Sequence, residues 1–547
     1  MKKIIFIIFA LAIFTTRSFA QHAPPPPAGI DLDLTPEKWR EDLRFLEKEL
    51  PARHKNPFHA MTREQFGAAV AQLNDRIPGL KNEEIFTGIM KILAMAGDGH
   101  TSIDEGSLFD FGFYPVHYEI FADGLFIESI DAEYSGIAGG KVVKIGNTPI
   151  ETALARLDEL AWGDNYSEQS KKVEKVFLLT NPRVLLGLKI AGSGESVPVT
   201  VEINGQLKSV EIKLKKDVRE YMKTAKRADA ADGSANPLPL YRKDPQNNYW
   251  FEYVKDRKIL YIQFNSVRNK QDESIAVFFK KVFDFSENNP VDKFVLDMRA
   301  NTGGNNQLNR PIIIGLVKSK LNARGKLFVM IGRRTFSAAQ NLVNEIEKYT
   351  DAILVGEPTG SSPNFYGDPV IITLPNSRIP VRVASLFHQF EPRDTRISTA
   401  PEIFAEITSA DYRANRDPFF EAVVTYVPGG TFRDIAAEFV RTKDLAAFVA
   451  KYRAFKSDAK NRYANTEAGM NTLGYQLLGA QKIGEAIEIF RLNTESCPLS
   501  ANAYDSLAEA LLASGNREEA IRTYEKALKI DPDFASSAEA LRRLKDR

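Results

Sequence analysis

Between positions 249 and 355 short apolar runs alternate with amphipathic stretches, and few folds satisfy that rhythm. Residues 293–296, 327–331 and 352–355 are apolar enough to be strands buried on both faces. Residues 310–318 and 338–349 have helical spacing, with Leu342, Val343, Ile346 and Tyr349 on one face. Strands separated by such helices run parallel, so the pattern predicts an α/β core over 249–430.

The remaining length, 547 residues in all, is too great for one core and divides by composition. Lys2 and Lys3, an apolar run over 4–13 and Ser18-Phe19-Ala20 form a cleavable secretory signal over 1–20, with a membrane anchor as the alternative. No lipoprotein cysteine follows, and no later segment is apolar enough to span a bilayer once the signal is cleaved. The expected location is periplasmic or secreted. Residues 21–34 are a proline-rich linker, and 35–101 a helical region. In it Trp39, Leu43, Phe45, Leu46 and Leu50, then Phe66, Val70 and Leu73, recur at helical spacing.

Residues 102–215 turn to strands. Ala122-Asp123-Gly124 and Asn204-Gly205 are hairpin signals, and 140–150 resembles the second half of a PDZ-like domain. Residues 216–248 are polar and read as a linker. At the other end, Leu473 and Leu507, Gly474 and Ala508, Leu477 and Leu511, Ala486 and Ala520, and Pro498 and Pro532 are each 34 residues apart. That period marks tetratricopeptide repeats over 466–547, preceded by a helical spacer over 431–465. Such units offer a groove to a protein partner.

Charge and cysteine narrow the function. With 72 basic and 71 acidic side chains and no strongly basic domain, nucleic acid is not an expected partner. Cys497 is the only cysteine; it excludes internal disulfides and sits in a repeat, where a buried structural role is expected. The histidines are His22, His54, His59, His100, His117 and His388; none has a recognisable metal spacing, so neither metal nor cofactor is expected.

Three motifs carry chemistry. In Arg334-Thr335-Phe336-Ser337-Ala338-Ala339-Gln340, Ser337 falls between a strand and a helix start. Its hydroxyl suits a nucleophile beside the positive helix end, although by itself a serine there is more often an N-cap. Asp297-Met298-Arg299-Ala300-Asn301-Thr302-Gly303-Gly304 follows a strand. Its glycines let backbone N–H groups approach an oxyanion, or simply make a tight turn. Gly97-Asp98-Gly99-His100-Thr101-Ser102 places a histidine in a glycine-flanked turn.

In this order the motifs resemble those of the tail-specific (C-terminal-processing) and tricorn-core serine peptidases, over roughly 35–405. Many members pair the serine with a lysine about 25 residues on, but here Ser362 stands there. The chain therefore resembles the branch with a histidine base. The resemblance implies a crotonase-like α/β spiral core beside the PDZ-like domain, and hydrolysis of peptide bonds in proteins. It assigns Ser337 as nucleophile, His100 as base, and the N–H groups of Gly303 or Gly304 and Ala338 as the oxyanion hole. The third residue, orienting His100, is expected to be Asp394, with Glu357 or Glu391 as alternatives. The competing reading is an inactive peptide- or ligand-binding protein on the same scaffold.

Overall fold

A computed structural model describes residues 29–164, 167–228, 237–392 and 394–545. The segment read as a secretory signal, and most of the one read as a proline-rich linker, lie outside the described residues.

Helix α1 (Pro36–Arg53) starts where Thr35 accepts the Lys38 N–H and Pro36 fits the first turn. With α2 (Arg63–Arg76) and α3 (Asn82–Ala94) it buries Trp39, Leu43, Leu46, Leu50, Phe66, Val70 and Leu73, while Phe45 is only partly covered. Strand β1 (Ser102–Ile103) follows the His100 turn.

A β-rich layer comes next, built on β2 (Val116–Phe121), β3 (Gly124–Ile130), β4 (Lys141–Ile145), β5 (Thr148–Pro149), β6 (Ser196–Ile203) and β7 (Gln206–Lys213). They pair antiparallel in the order β2-β3-β4-β6-β7, with β5 on β4. Asn204 and Gly205, at φ of 52° and 72°, make the expected turn between β6 and β7. Helices α4 (Ile150–Asp158), α5 (Glu168–Leu178) and α6 (Pro182–Gly187) fill the long connection after β5. One hydrophobic core runs through α1–α3 and this layer, so the helical region and the β-rich region are not separate bodies.

The stretch read as a linker carries more structure than its composition suggests. It holds α7 (Val218–Thr224), β8 (Lys226–Arg227) paired to β3, and α8 (Leu240–Lys243). Backbone pairing needs no apolar side chains, so the polar composition concealed it.

The sheet of the α/β core contains β9 (Tyr249–Val254), β10 (Ile259–Phe264), β11 (Lys293–Asp297), β12 (Leu327–Ile331), β13 (Ile353–Gly356) and a later strand, β16 (Ile403–Phe404). Its order is β16-β13-β12-β11-β10-β9; only β9 is antiparallel to its neighbour. Every residue of β10, β12 and β13 is buried. Helices α9 (Ile275–Asn288), α10 (Arg310–Lys318) and α11 (Ala338–Tyr349) cover one face. Tyr349 departs from the face assigned to it and is 55% exposed at the helix end.

A hairpin, β14 (Phe365–Thr373) and β15 (Pro380–His388), leaves this core and pairs β15 with β1. Helices α12 (Ser409–Arg413) and α13 (Pro418–Val424) follow β16, and α13 lays Phe419 and Val423 on the sheet's other face.

The C-terminal array comprises α14 (Phe432–Thr442), α15 (Leu445–Ser457), α16 (Glu467–Gly479), α17 (Ile483–Ser496), α18 (Ala501–Ala513), α19 (Arg517–Ile530) and α20 (Ala535–Lys545). The matched positions Leu473, Leu477, Ala486, Leu507, Ala508, Leu511 and Ala520 share one core. Ile435, Phe439, Phe448, Tyr452 and Phe455 belong to it too, so 431–465 is a packed helix pair of the array and not a spacer. Cys497 ends α17 and is only partly buried.

Candidate active site

Ser337 and His100 meet where three elements converge. Ser337 precedes α11 at φ 54°, ψ −123°, a conformation that non-glycine residues rarely adopt. Its hydroxyl makes no capping bond to the helix. Instead Oγ lies 3.2 Å from His100 Nε2. The N-cap alternative for this serine is therefore not the one the fold uses.

His100 is fixed by its neighbours. Asp98 Oδ1 accepts the backbone N–H groups of His100 and Thr101 at 2.8 and 2.7 Å, and Asp98 Oδ2 lies 2.9 Å from His54 Nε2. The Thr101 hydroxyl accepts the Ala384 N–H, tying the turn to β15. The imidazole stacks against Phe336 and Phe365, with centroids 4.9 and 5.8 Å away. Burial pushes its pKa down to about 4, an effect the Asp98 charge only partly offsets. The ring is thus neutral at pH 7. For Nε2 to accept from Ser337, the proton must sit on Nδ1, a tautomer inferred from this contact. Nδ1 makes no hydrogen bond of ordinary geometry among the described residues, and no carboxylate faces it; the Tyr366 backbone carbonyl is the acceptor beside the ring and favours its protonated form.

The Asp297–Gly304 loop and the Arg334–Gln340 loop are stitched together. Asp297 Oδ1 accepts from the Arg299 backbone and Nε, and the Arg299 fork reaches Asp417 at 2.8 and 2.9 Å. This buried charge cluster shapes the turn from within. The Thr335 hydroxyl donates to the Met298 carbonyl, and the Phe336 N–H to the Asn301 carbonyl. Asn301 Oδ1 accepts the Gly303 N–H at 2.9 Å. Gly303, at φ 98°, leaves no room for a side chain, because a Cβ would fall 2.9 Å from Ser337 Cβ. Of the three expected oxyanion donors, Gly303 is thus committed to Asn301. The N–H groups of Gly304 and Ala338 have no acceptor among the described residues.

The three carboxylates considered for orienting His100 are engaged elsewhere. Asp394 accepts a forked pair of bonds from Arg396, which also holds Glu347. Burial raises the Asp394 pKa, but Arg396 outweighs it and holds the carboxyl below its ordinary range. Glu357 pairs with Arg333 at 2.5 Å, and Glu391 with Lys348 at 3.4 Å. None hydrogen-bonds His100 among the described residues; an adjacent guanidinium, or for Glu391 an ammonium, outcompetes a neutral imidazole for a carboxylate.

Sequence reading missed Asp164 and Ser361. Asp164 Oδ1 accepts the Gly99 N–H at 2.8 Å and Oδ2 the Ser361 hydroxyl at 2.7 Å, while Ser361 Oγ accepts the Ser337 N–H at 3.1 Å. No spacing pattern could mark a contact between elements this far apart in the chain. Asp98 stood inside the histidine motif, and its place there was the available signal. No group of three or more His, Cys, Asp or Glu that could hold a metal ion occurs among the described residues. Nor is any described helix long and apolar enough to cross a membrane.

The tetratricopeptide repeat family matches residues 501–534. No curated protein matches the chain. Among solved structures, mature CPAF complexed with lactacystin is similar at 13% identity, over 71% of this chain and 97% of that one, with a TM-score of 0.49. The photosystem II D1 C-terminal processing protease is similar at 12% identity, over 68% and 93%, with a TM-score of 0.34. A putative S41 protease from Bacteroides fragilis is similar at 14% identity, over 61% and 82%, with a TM-score of 0.26.

Proposed function

We propose that this protein is an exported serine peptidase that cleaves peptide bonds in proteins, with Ser337 as nucleophile and His100 as general base. One observation carries the reading: a serine in strained backbone at a helix N-terminus, with its hydroxyl 3.2 Å from a neutral, buried imidazole.

Ser337 Oγ attacks the scissile carbonyl carbon, and its proton passes to His100 Nε2. The carbonyl oxygen, now anionic, accepts from the N–H groups of Gly304 and Ala338, beside the positive end of α11. Collapse of the tetrahedral species breaks the C–N bond, and His100 returns its proton to the leaving amine. Water, deprotonated by His100, then frees the acid from the Ser337 ester. Asp98 supplies the negative charge that most favours the transient imidazolium, and it also holds the turn that carries the ring.

On this reading the core belongs to the crotonase-like, histidine-base branch of the tail-specific and tricorn-like peptidases. The β2–β7 layer would be its PDZ-like domain, and the C-terminal array a platform for a protein partner. The test is digestion of an unbiased peptide library by the wild type and Ser337→Ala. Cleavage by the wild type alone supports the reading. No cleavage by either protein favours a binding role, and equal cleavage by both removes Ser337 from the chemistry.

A further inference from the structure

Asp164 lies outside all three motifs, in the loop after α4, and is 1% exposed. Its two oxygens reach the two halves of the site. One accepts from Gly99, the residue before the base; the other accepts from Ser361, whose oxygen takes the N–H of the nucleophile itself. The same elements interlock sterically: a Cβ on Gly99 would fall 2.3 Å from the Phe336 ring and 3.1 Å from Asp164 Oδ1. We infer that Asp164 is a positioning residue for the Ser337–His100 pair, fixing the nucleophile's backbone through Ser361 and the base's loop through Gly99. The inference rests on the peptidase reading of Ser337.

The ionised form does this work. A carboxylate only accepts, so the Gly99 N–H and the Ser361 hydroxyl can both donate to it. The Ser361 lone pairs then remain for the Ser337 N–H. The Ser362 backbone N–H also favours the ionised carboxylate, and of the three donors only the Ser361 hydroxyl can rotate away, so a proton on Asp164 is least opposed on Oδ2. From Oδ2 it points at Ser361 Oγ, forces the serine's own proton elsewhere and competes with the Ser337 N–H. The change falls in an accessible pH range. Burial pushes Asp164 up to about 7, against the pull of the Ser361 and Gly99 hydrogen bonds. Asp98, held by His54, adds a like charge. His59 and Asp394 stand on the wall of the cavity of about 290 Å³ that Asp164 and Asp98 also line, and Arg396 holds Asp394. His100 lies beyond Gly99 and is neutral in this range. No ion pair involves Asp164 among the described residues.

The test measures how fast a fluorophosphonate labels Ser337 in the full chain between about pH 5 and 9. The wild-type rate is expected to rise several-fold through about 7. Asp164→Asn, whose amide donates to Ser361 as the carboxyl proton would, should stay flat at the wild type's low-pH rate. Ser361→Ala should be slow and equally flat, with melting close to wild type. It decides the matter if Asp164→Asn does not fold. Variants that follow the wild-type pH curve, or lose rate only in step with a lowered Tm, would overturn the inference. A labelled wild type beside an unaltered Asp164→Asn sinks the inference alone. A wild type that takes no label at Ser337 sinks the peptidase reading and the inference together.

Discussion

His100 is packed between two phenylalanine rings and 5% exposed, so a proton placed on it finds little water to share the charge. On the proposed mechanism the neutral ring is the base, so cleavage, lowered several-fold as Asp164 takes up a proton near 7, should still persist until the pH falls through about 4, well below the ~6.5 of an exposed histidine. A profile of peptide cleavage down to about pH 3 checks this, and complete loss by pH 6 would contradict it. Stability follows from the same shifts. The unfolded chain takes up the His100 proton at about 6.5 and the folded one at about 4, so stability falls as pH drops across that window. Asp164 acts in the opposite sense: its folded pKa of about 7 exceeds the unfolded 3.8, so its cost fades as pH falls through 7. The two slopes offset each other, and Asp164→Asn, freed of one, should lose Tm in acid more steeply than wild type. Ser337 stores strain as well. Ser337→Gly should abolish activity yet stabilise the fold by about 1 kcal/mol, because glycine accepts positive φ without cost. A lowered Tm would show that the serine's conformation is not strained.

At the scale of elements, Gly303 is where the two loops touch. Gly303→Ala must move either the Ser337 backbone or the Asp297–Gly304 turn, and a displacement of that kind costs on the order of 10²-fold in kcat/KM. The expected outcome is a normally folded protein with that loss, read from steady-state kinetics; near wild-type turnover would contradict it. The strands and helices around this point were legible because buried parallel strands are almost continuously apolar. Positions 310–318, 327–331 and 338–349 are elements at those very bounds. The motifs were legible because glycine, serine and histidine at loop positions carry their chemistry locally. The orienting carboxylate was not. Asp394 has the right residue type, but Arg396, two residues on, claims it. Asp164 and Ser361 were invisible for a related reason. They are ordinary loop residues until the fold brings positions 99, 164, 337 and 361 together.

At the scale of the whole molecule, the helical array is joined to the α/β core by polar contacts and by the Tyr463 ring packed 4.9 Å from Phe404 of β16. Arg324, before β12, reaches Glu402, the Thr431 hydroxyl and Asp434, and Arg462 pairs with Glu406. Cutting the chain after 430 removes the array as one unit, whereas cutting after 465 strands α14 and α15 without their partners. The second cut exposes Ile435, Phe439, Phe448, Tyr452 and Phe455, at roughly 2 kcal/mol for each large side chain uncovered. The shorter product is therefore expected to keep peptide cleavage and stay soluble. The longer one should melt lower or aggregate. Thermal melting with peptide and protein cleavage rates checks both. Loss of peptide cleavage after the cut at 430 would mean that the array supports the active site itself.

The most direct measurement of the central assignment is the site of fluorophosphonate attachment, mapped by mass spectrometry on wild type, Ser337→Ala and His100→Ala. A single adduct on Ser337 is expected in the wild type, none in Ser337→Ala, and a rate lowered at least about a hundredfold in His100→Ala. An adduct on another residue, or wild-type labelling in His100→Ala, would contradict the pairing of Ser337 with His100.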